Sequence, residues 1–111
     1  MRERDFQDQI IQLAELCGWW VYHNARARGN LRSHTSVGFP DLVLVRNQPT
    51  GTDHDLMFWE IKTDKGRSTG RQIAWMQAIN GAGGVAYEVR PSDWEWIEMI
   101  LKGETRCDKD T

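Results

Sequence analysis

The chain has 111 residues, 40% of them hydrophobic and 27% charged, with a formal net charge of −2. That is enough for one domain with its own core and too little for two. No apolar run approaches the ~18 residues of a membrane span, the opening MRERDFQDQI has no apolar signal-peptide stretch, and two cysteines, Cys17 and Cys107, make neither a disulfide framework nor a zinc site; a cytoplasmic location is expected.

Phe6, Ile10, Leu13, Ala14 and Cys17 fall at helical spacing, and Gly18 ends that amphipathic helix. WWVYH (19–23) is aromatic and β-branched and predicts a strand. Residues 24–37 lack periodicity and predict a long loop. Residues 41–46 and 56–62 predict two strands, and the polar NQPTGTDHD between them suits a hairpin connection. After the polar loop TDKGRSTG, a helix fits RQIAWMQAIN, with Ile73, Met76 and Ile79 or Asn80 on one face and glycines after it. VAYEVR (85–90) predicts a fourth strand, Pro91 breaks it, and Ser92 to Glu95 has the capping-box pattern. The last helix turns Trp94, Ile97 and Leu101 inward and stops at Gly103. The expected domain is 1–103, with a disordered tail over 104–111. The fold class is α/β: a small mixed sheet flanked by helices.

Charge is unevenly spread. Residues 23–37 hold Arg26, Arg28 and Arg32 and no acid, while 62–71 hold Lys62, Lys65, Arg67 and Arg71 against Asp64 alone. Such segments can bind phosphates although the whole chain is mildly acidic.

One acid stands out. In GFPDLVLVR, Asp41 heads a strand that reads as buried, and a buried carboxylate is costly unless something pairs with it. FWEIK places Glu60 and Lys62 two apart on the next strand, so they share a face. Asp41 joins that face only if the hairpin register has the right parity, which the sequence leaves open. Two carboxylates and an ammonium on one face fit either a half-buried ion pair or a site for a hard divalent cation, which takes oxygen ligands. His23 and His34 could reach a phosphate or a metal water, but a strand-end histidine is more often polar surface. His54 falls in a turn and is expected to be solvated.

Pro40-Asp41, followed nineteen positions after Asp41 by Glu60-Ile61-Lys62, resembles the PD-(D/E)XK nuclease signature. GFPDLVLV, QIAW (72–75), VRPSDW (89–94) and the opening ERDFQDQIIQLAELCGWWVYH are similar to the VRR-NUC branch of that superfamily. The resemblance runs over roughly residues 3–101 and implies the restriction-endonuclease-like αβββαβ core. It implies that Asp41, Glu60 and the backbone carbonyl of Ile61 ligate Mg²⁺ or Mn²⁺, and that Glu3 joins the metal shell. Lys62 would position or activate the attacking water, and Gln72 would support Lys62 or a metal-bound water. The expected activity is metal-dependent, structure-selective hydrolysis of DNA phosphodiesters, with Arg26, Arg28, Arg32, Lys65, Arg67 and Arg71 on flanking phosphates. The expected setting is phage or bacterial replication, repair or recombination, on Holliday junctions or other branched DNA, by a homodimer. A sequence-specific restriction-type endonuclease and a non-catalytic DNA-binding module that keeps the fold are the alternatives.

Overall fold

The computed structural model describes residues 1–24 and 37–103. The expected long loop, with Arg26, Arg28, Arg32 and His34, and the tail over 104–111 lie outside the described residues. The elements run α1 (Glu3–Leu16), β1 (Trp19–His23), β2 (Leu42–Arg46), β3 (Leu56–Ile61), α2 (Gly70–Gly81), β4 (Ala86–Val89) and α3 (Trp94–Leu101), with 3₁₀ turns at Asp53–Asp55 and Pro91–Asp93. This is an α/β fold with a four-stranded mixed sheet. The strands stand in chain order; β1–β2 and β2–β3 are antiparallel and β3–β4 is parallel, joined by α2 as the crossover. No described helix is long and apolar enough to cross a membrane.

Side chains alternate across the sheet, so the register decides what each face carries. Leu42 and Leu44 pair with Trp59 and Met57, and all four are fully buried together with Ile61. α1 and α3 cover this face, adding Phe6, Ile10, Ala14, Trp96, Ile97, Ile100 and Leu101 to one core. Each such large side chain contributes about 1.5–3 kcal/mol on burial. Gly18, at φ 89°, turns the chain from α1 into β1 through a backbone region that side chains disfavour. The first residue of β1 then reaches across the domain: Trp19 Nε1 donates to the Leu101 carbonyl at 2.9 Å, satisfying an end carbonyl of α3.

The β2–β3 connection is held by one carboxylate. Asp55 accepts from Thr50 Oγ1 at 2.7 Å, Gly51 N at 2.7 Å, Thr50 N and Arg46 Nε. The Thr50 hydroxyl first, then the Thr50 and Gly51 amides and Arg46, outweigh burial and lower the Asp55 pKa from 3.8 to about 2. His54 is not the solvated turn residue expected from sequence. It is half-buried, and its Nε2 shares a hydrogen bond with Tyr87 Oη at 2.9 Å.

Three packing expectations shift by a residue or two. On α2, Ile73 points to solvent and Gln72 is the buried residue, because the inward stripe is Gln72, Trp75, Met76 and Ile79. On α3, Trp94 is half-buried against Phe6, while Trp96 is buried and packs on Trp59 and Tyr87. Ser92 does not cap α3: its amide donates to Asp64, and Asp93 accepts from the Arg90 amide within the preceding 3₁₀ turn.

Candidate active site

The site begins with the turn before β2. Gly38 adopts φ 90°, and a Cβ placed there would lie 2.8 Å from the Arg71 backbone and 2.9 Å from the Gln72 amide. Only glycine fits so close to the start of α2. Phe39 then packs edge-on against Phe58 of β3 and Trp75 of α2, with centroids 6.0 and 5.0 Å apart. The turn is thus clamped between sheet and helix, and Pro40 is buried behind it.

Asp41 emerges from this turn at the end of the β2–β3 ladder. Leu42 pairs with Trp59, so one further step along the antiparallel register sets Asp41 opposite Glu60. Directly opposed residues share a face, and this settles the parity. The Asp41 carboxylate is held by the backbone, with Oδ2 accepting from Ile61 N at 2.9 Å. A charge-assisted bond of this kind is how a half-buried acid is tolerated at a strand head.

Glu60 is fully buried. Lys62 Nζ stands 3.6 Å from its Oε2, with the two side chains 12% and 1% exposed. The separation fits an ion pair rather than a tight hydrogen bond. Asp41 and Lys62 open into a polar cleft of about 230 Å³, whose other walls are Glu3, Arg4 and Gln7 from the first turns of α1. Next to it, Gln7 Nε2 and His23 Nε2 lie 2.9 Å apart, and Asn24 N donates to the Asp41 carbonyl.

Asp41, Glu60, Ile61 and Lys62 therefore come together, and Glu3 lines the same cleft. Among the described residues no three His, Cys, Asp or Glu side chains gather closely enough to hold a metal, so Glu3 does not form one cage with Asp41 and Glu60. Gln72 is buried at the start of α2. Its Oε1 accepts from the Thr69 amide while Thr69 Oγ1 accepts from the Gln72 amide, a reciprocal cap at the start of α2. Lys65, Arg67 and Arg71 are exposed along the loop and helix start beyond Lys62. Arg4 and Gln7 escaped the sequence reading. The signal for Gln7 was its i+4 spacing from Glu3, which puts both on one helix face.

A family model described as the VRR-NUC domain matches residues 22–94. The chain belongs to the VRR-NUC domain family. The matched stretch runs from β1 into the start of α3 and contains Asp41, Glu60, Lys62 and Gln72. A VRR-NUC domain is a nuclease domain, a hydrolase acting on DNA, and the mixed sheet with its flanking helices is compatible with a restriction-endonuclease-like core. No curated protein matches the chain.

Proposed function

We propose that this VRR-NUC domain, spanning residues 1–103 with 104–111 as a tail, is a Mg²⁺- or Mn²⁺-dependent, structure-selective DNA nuclease. The reading rests chiefly on one observation: Asp41 stands opposite Glu60 in register, with the Lys62 ammonium 3.6 Å from Glu60. The donors of the set, two carboxylates and the Ile61 carbonyl, are all oxygens. That suits Mg²⁺ or Mn²⁺, which bind through one or two carboxylates and keep several waters. Glu3 is the outer acid of the same cleft. A bound ion of this kind supplies Lewis-acid polarisation of the phosphate and a more acidic water.

The chain's own residues do the rest. The Ile61 amide holds the Asp41 carboxylate in orientation, and the buried Glu60 holds the Lys62 ammonium at the cleft. Lys62 orients the attacking water and stabilises the negative charge that develops as its oxygen bonds to phosphorus. The P–O bond on the opposite side breaks as the attacking water gives up a proton to solvent, and the leaving oxygen takes one from solvent. Gln72 acts indirectly, by fixing the helix start against Gly38. Lys65, Arg67 and Arg71, with Arg26, Arg28 and Arg32, bind flanking phosphates and carry no base readout.

The contacts we infer to flanking phosphates read DNA shape rather than sequence. The setting we infer is the cytoplasm of a bacterial or phage-infected cell, in replication, repair or recombination on branched DNA such as Holliday junctions. The active form we infer is a homodimer; sedimentation showing monomer alone at micromolar concentration refutes that part. The test of activity is a panel of labelled flaps, forks, four-way junctions, linear duplexes and single strands with Mg²⁺ or Mn²⁺. Cleavage at branches, lost in Asp41→Ala and Glu60→Ala, is expected. Discrete bands from a linear plasmid would instead favour a restriction-type enzyme, and binding without cleavage a non-catalytic module.

A further inference from the structure

Glu88 and Arg90 lie on the β4 side of the site and have no part in the function proposed above. Glu88 is the register partner of Glu60 in the parallel β3–β4 pair, so its side chain leaves the sheet on the same face, one strand over. It is not left as a bare second carboxylate beside Glu60. Arg90 Nη2 pairs with Glu88 Oε1, and Ser68 Oγ donates to Glu88 Oε2 at 3.0 Å. Through its other nitrogen, Nη1, Arg90 donates to the carbonyl of Thr63, the residue directly after Lys62.

That carbonyl belongs to a tight turn wrapped on the lysine itself. Gly66 N donates to Thr63 Oγ1 at 2.9 Å, and a Cβ at Gly66 would lie 3.0 Å from Thr63 Oγ1 and 3.7 Å from Lys62 Cδ. Two further bonds tie the neighbouring backbone to the same side: Lys62 N donates to the Val89 carbonyl at 3.0 Å, and Ser92 N to Asp64 Oδ1 at 3.1 Å. The segment from Thr63 to Ser68 is thus fastened at both ends to the Glu88–Arg90 ion pair, and it carries Lys65 and Arg67 between the fastenings.

We propose that Glu88 and Arg90 are positioning residues for cleavage: their ion pair holds the turn behind Lys62, and so fixes the Lys62 ammonium and the cations of the following loop relative to the cleft. This rests on Lys62 acting as proposed above. A lysine has four side-chain torsions, and a stem held by a packed turn loses less orientation at the moment of reaction than a free one. Arg90 is suited to the task because one planar guanidinium serves the carboxylate and the carbonyl at the same time.

Single-turnover cleavage at saturating protein, on the DNA that the wild type cuts fastest, separates the bond-breaking step from affinity. It is measured with Mg²⁺, well below the melting point of the least stable variant. Arg90→Ala and Glu88→Ala are expected to slow the saturated rate by about 10- to 100-fold, the scale of a misplaced catalytic group. Ser68→Ala, which removes one fastening only, gives a smaller loss. Arg90→Lys, which keeps the charge, recovers part of the rate. Glu98→Ala, which breaks the exposed Lys102–Glu98 pair on α3, serves as the control and leaves the rate unchanged. The inference is overturned if Arg90→Ala and Glu88→Ala stay within about twofold of wild type, or if their loss disappears when the rate is expressed per folded molecule. Abolition by Asp41→Ala alongside unslowed Arg90→Ala removes this inference alone; a wild type that cuts nothing removes the functional reading and this inference with it.

Discussion

Replacing Asp41 by alanine or by asparagine separates two jobs that its carboxylate performs at once. One job is structural: Oδ2 accepts the Ile61 amide at 2.9 Å, at the end of a strand whose last residue is fully buried. Alanine leaves that amide without its acceptor, which costs about 1–3 kcal/mol. In a domain of this size each kcal/mol shifts the melting temperature by roughly 4–8 °C, so Asp41→Ala is a readily measured destabilisation. Asparagine offers a neutral oxygen at the same place and keeps most of the bond; its cost is below about 1 kcal/mol, the worth of a typical net hydrogen bond. The other job is charge, which both variants remove. Cleavage falls by about 100-fold or more in each, as when a group that stabilises transition-state charge is lost. Under the proposed function Mg²⁺ or Mn²⁺ should raise the melting temperature of the wild type, and that rise should vanish in both variants. Differential scanning fluorimetry with and without the ion, beside cleavage of a labelled branched DNA, reads all of these. An asparagine variant that cleaves near the wild-type rate refutes the charge argument. One that melts as low as the alanine variant refutes the hydrogen-bond argument.

Gly38→Ala forces a Cβ to 2.8 Å from the Arg71 backbone at φ 90°; the left-handed backbone alone costs about 1–2 kcal/mol, and urea titration should show at least that loss. Substituting Lys65, Arg67 or Arg71 by alanine weakens DNA binding alike for all sequences. Each such cation that touches a phosphate lowers the slope of log affinity against log salt by about 0.9, read by fluorescence anisotropy in EDTA. The Asp55 carboxyl titrates near 2 in the folded protein against 3.8 ordinarily. Its contribution is therefore complete above pH 3.8 and is lost as pH falls toward 2; exchange of the Thr50 and Gly51 amides followed by NMR should speed up over that window, and Asp55→Ala should abolish the change.

The sequence carried the element order because most segments have a clear period or a clear break. β1 was readable in full from its aromatic and β-branched run, and α1 from its apolar spacing. Parity was not readable. It depends on how Asp55 folds residues 50–55 into a compact connection, a matter of hydrogen bonds to two amides and a hydroxyl with no hydrophobic signature. Ile73 misled for a related reason. An isoleucine at helical spacing looks like a core residue, but the start of α2 is set by Gln72 capping Thr69 and by Gly38 packing on the helix backbone, and these rotate the apolar residue outward. Of the candidate site, the acids and the lysine were visible as a spaced pattern. Arg4, Gln7 and the Glu88–Arg90 pair were not, since each matters through what the fold puts next to it.

The clamp at Gly38 and Phe39 has a consequence for how the site opens. α2 buries one residue, Gln72, whereas α3 buries four, so the crossover helix is the lightly anchored layer of the domain. Elements with few buried contacts open at lower free energy than the global transition. The turn that presents Asp41 leans on α2 through Trp75 and on β3 through Phe58 and the Ile61 amide, so it joins the lightly anchored layer to the central strand that carries Glu60. Under the proposed function, DNA held by Arg71 at the start of α2 would raise the cost of that local opening, and the substrate itself would be part of what keeps the pair aligned.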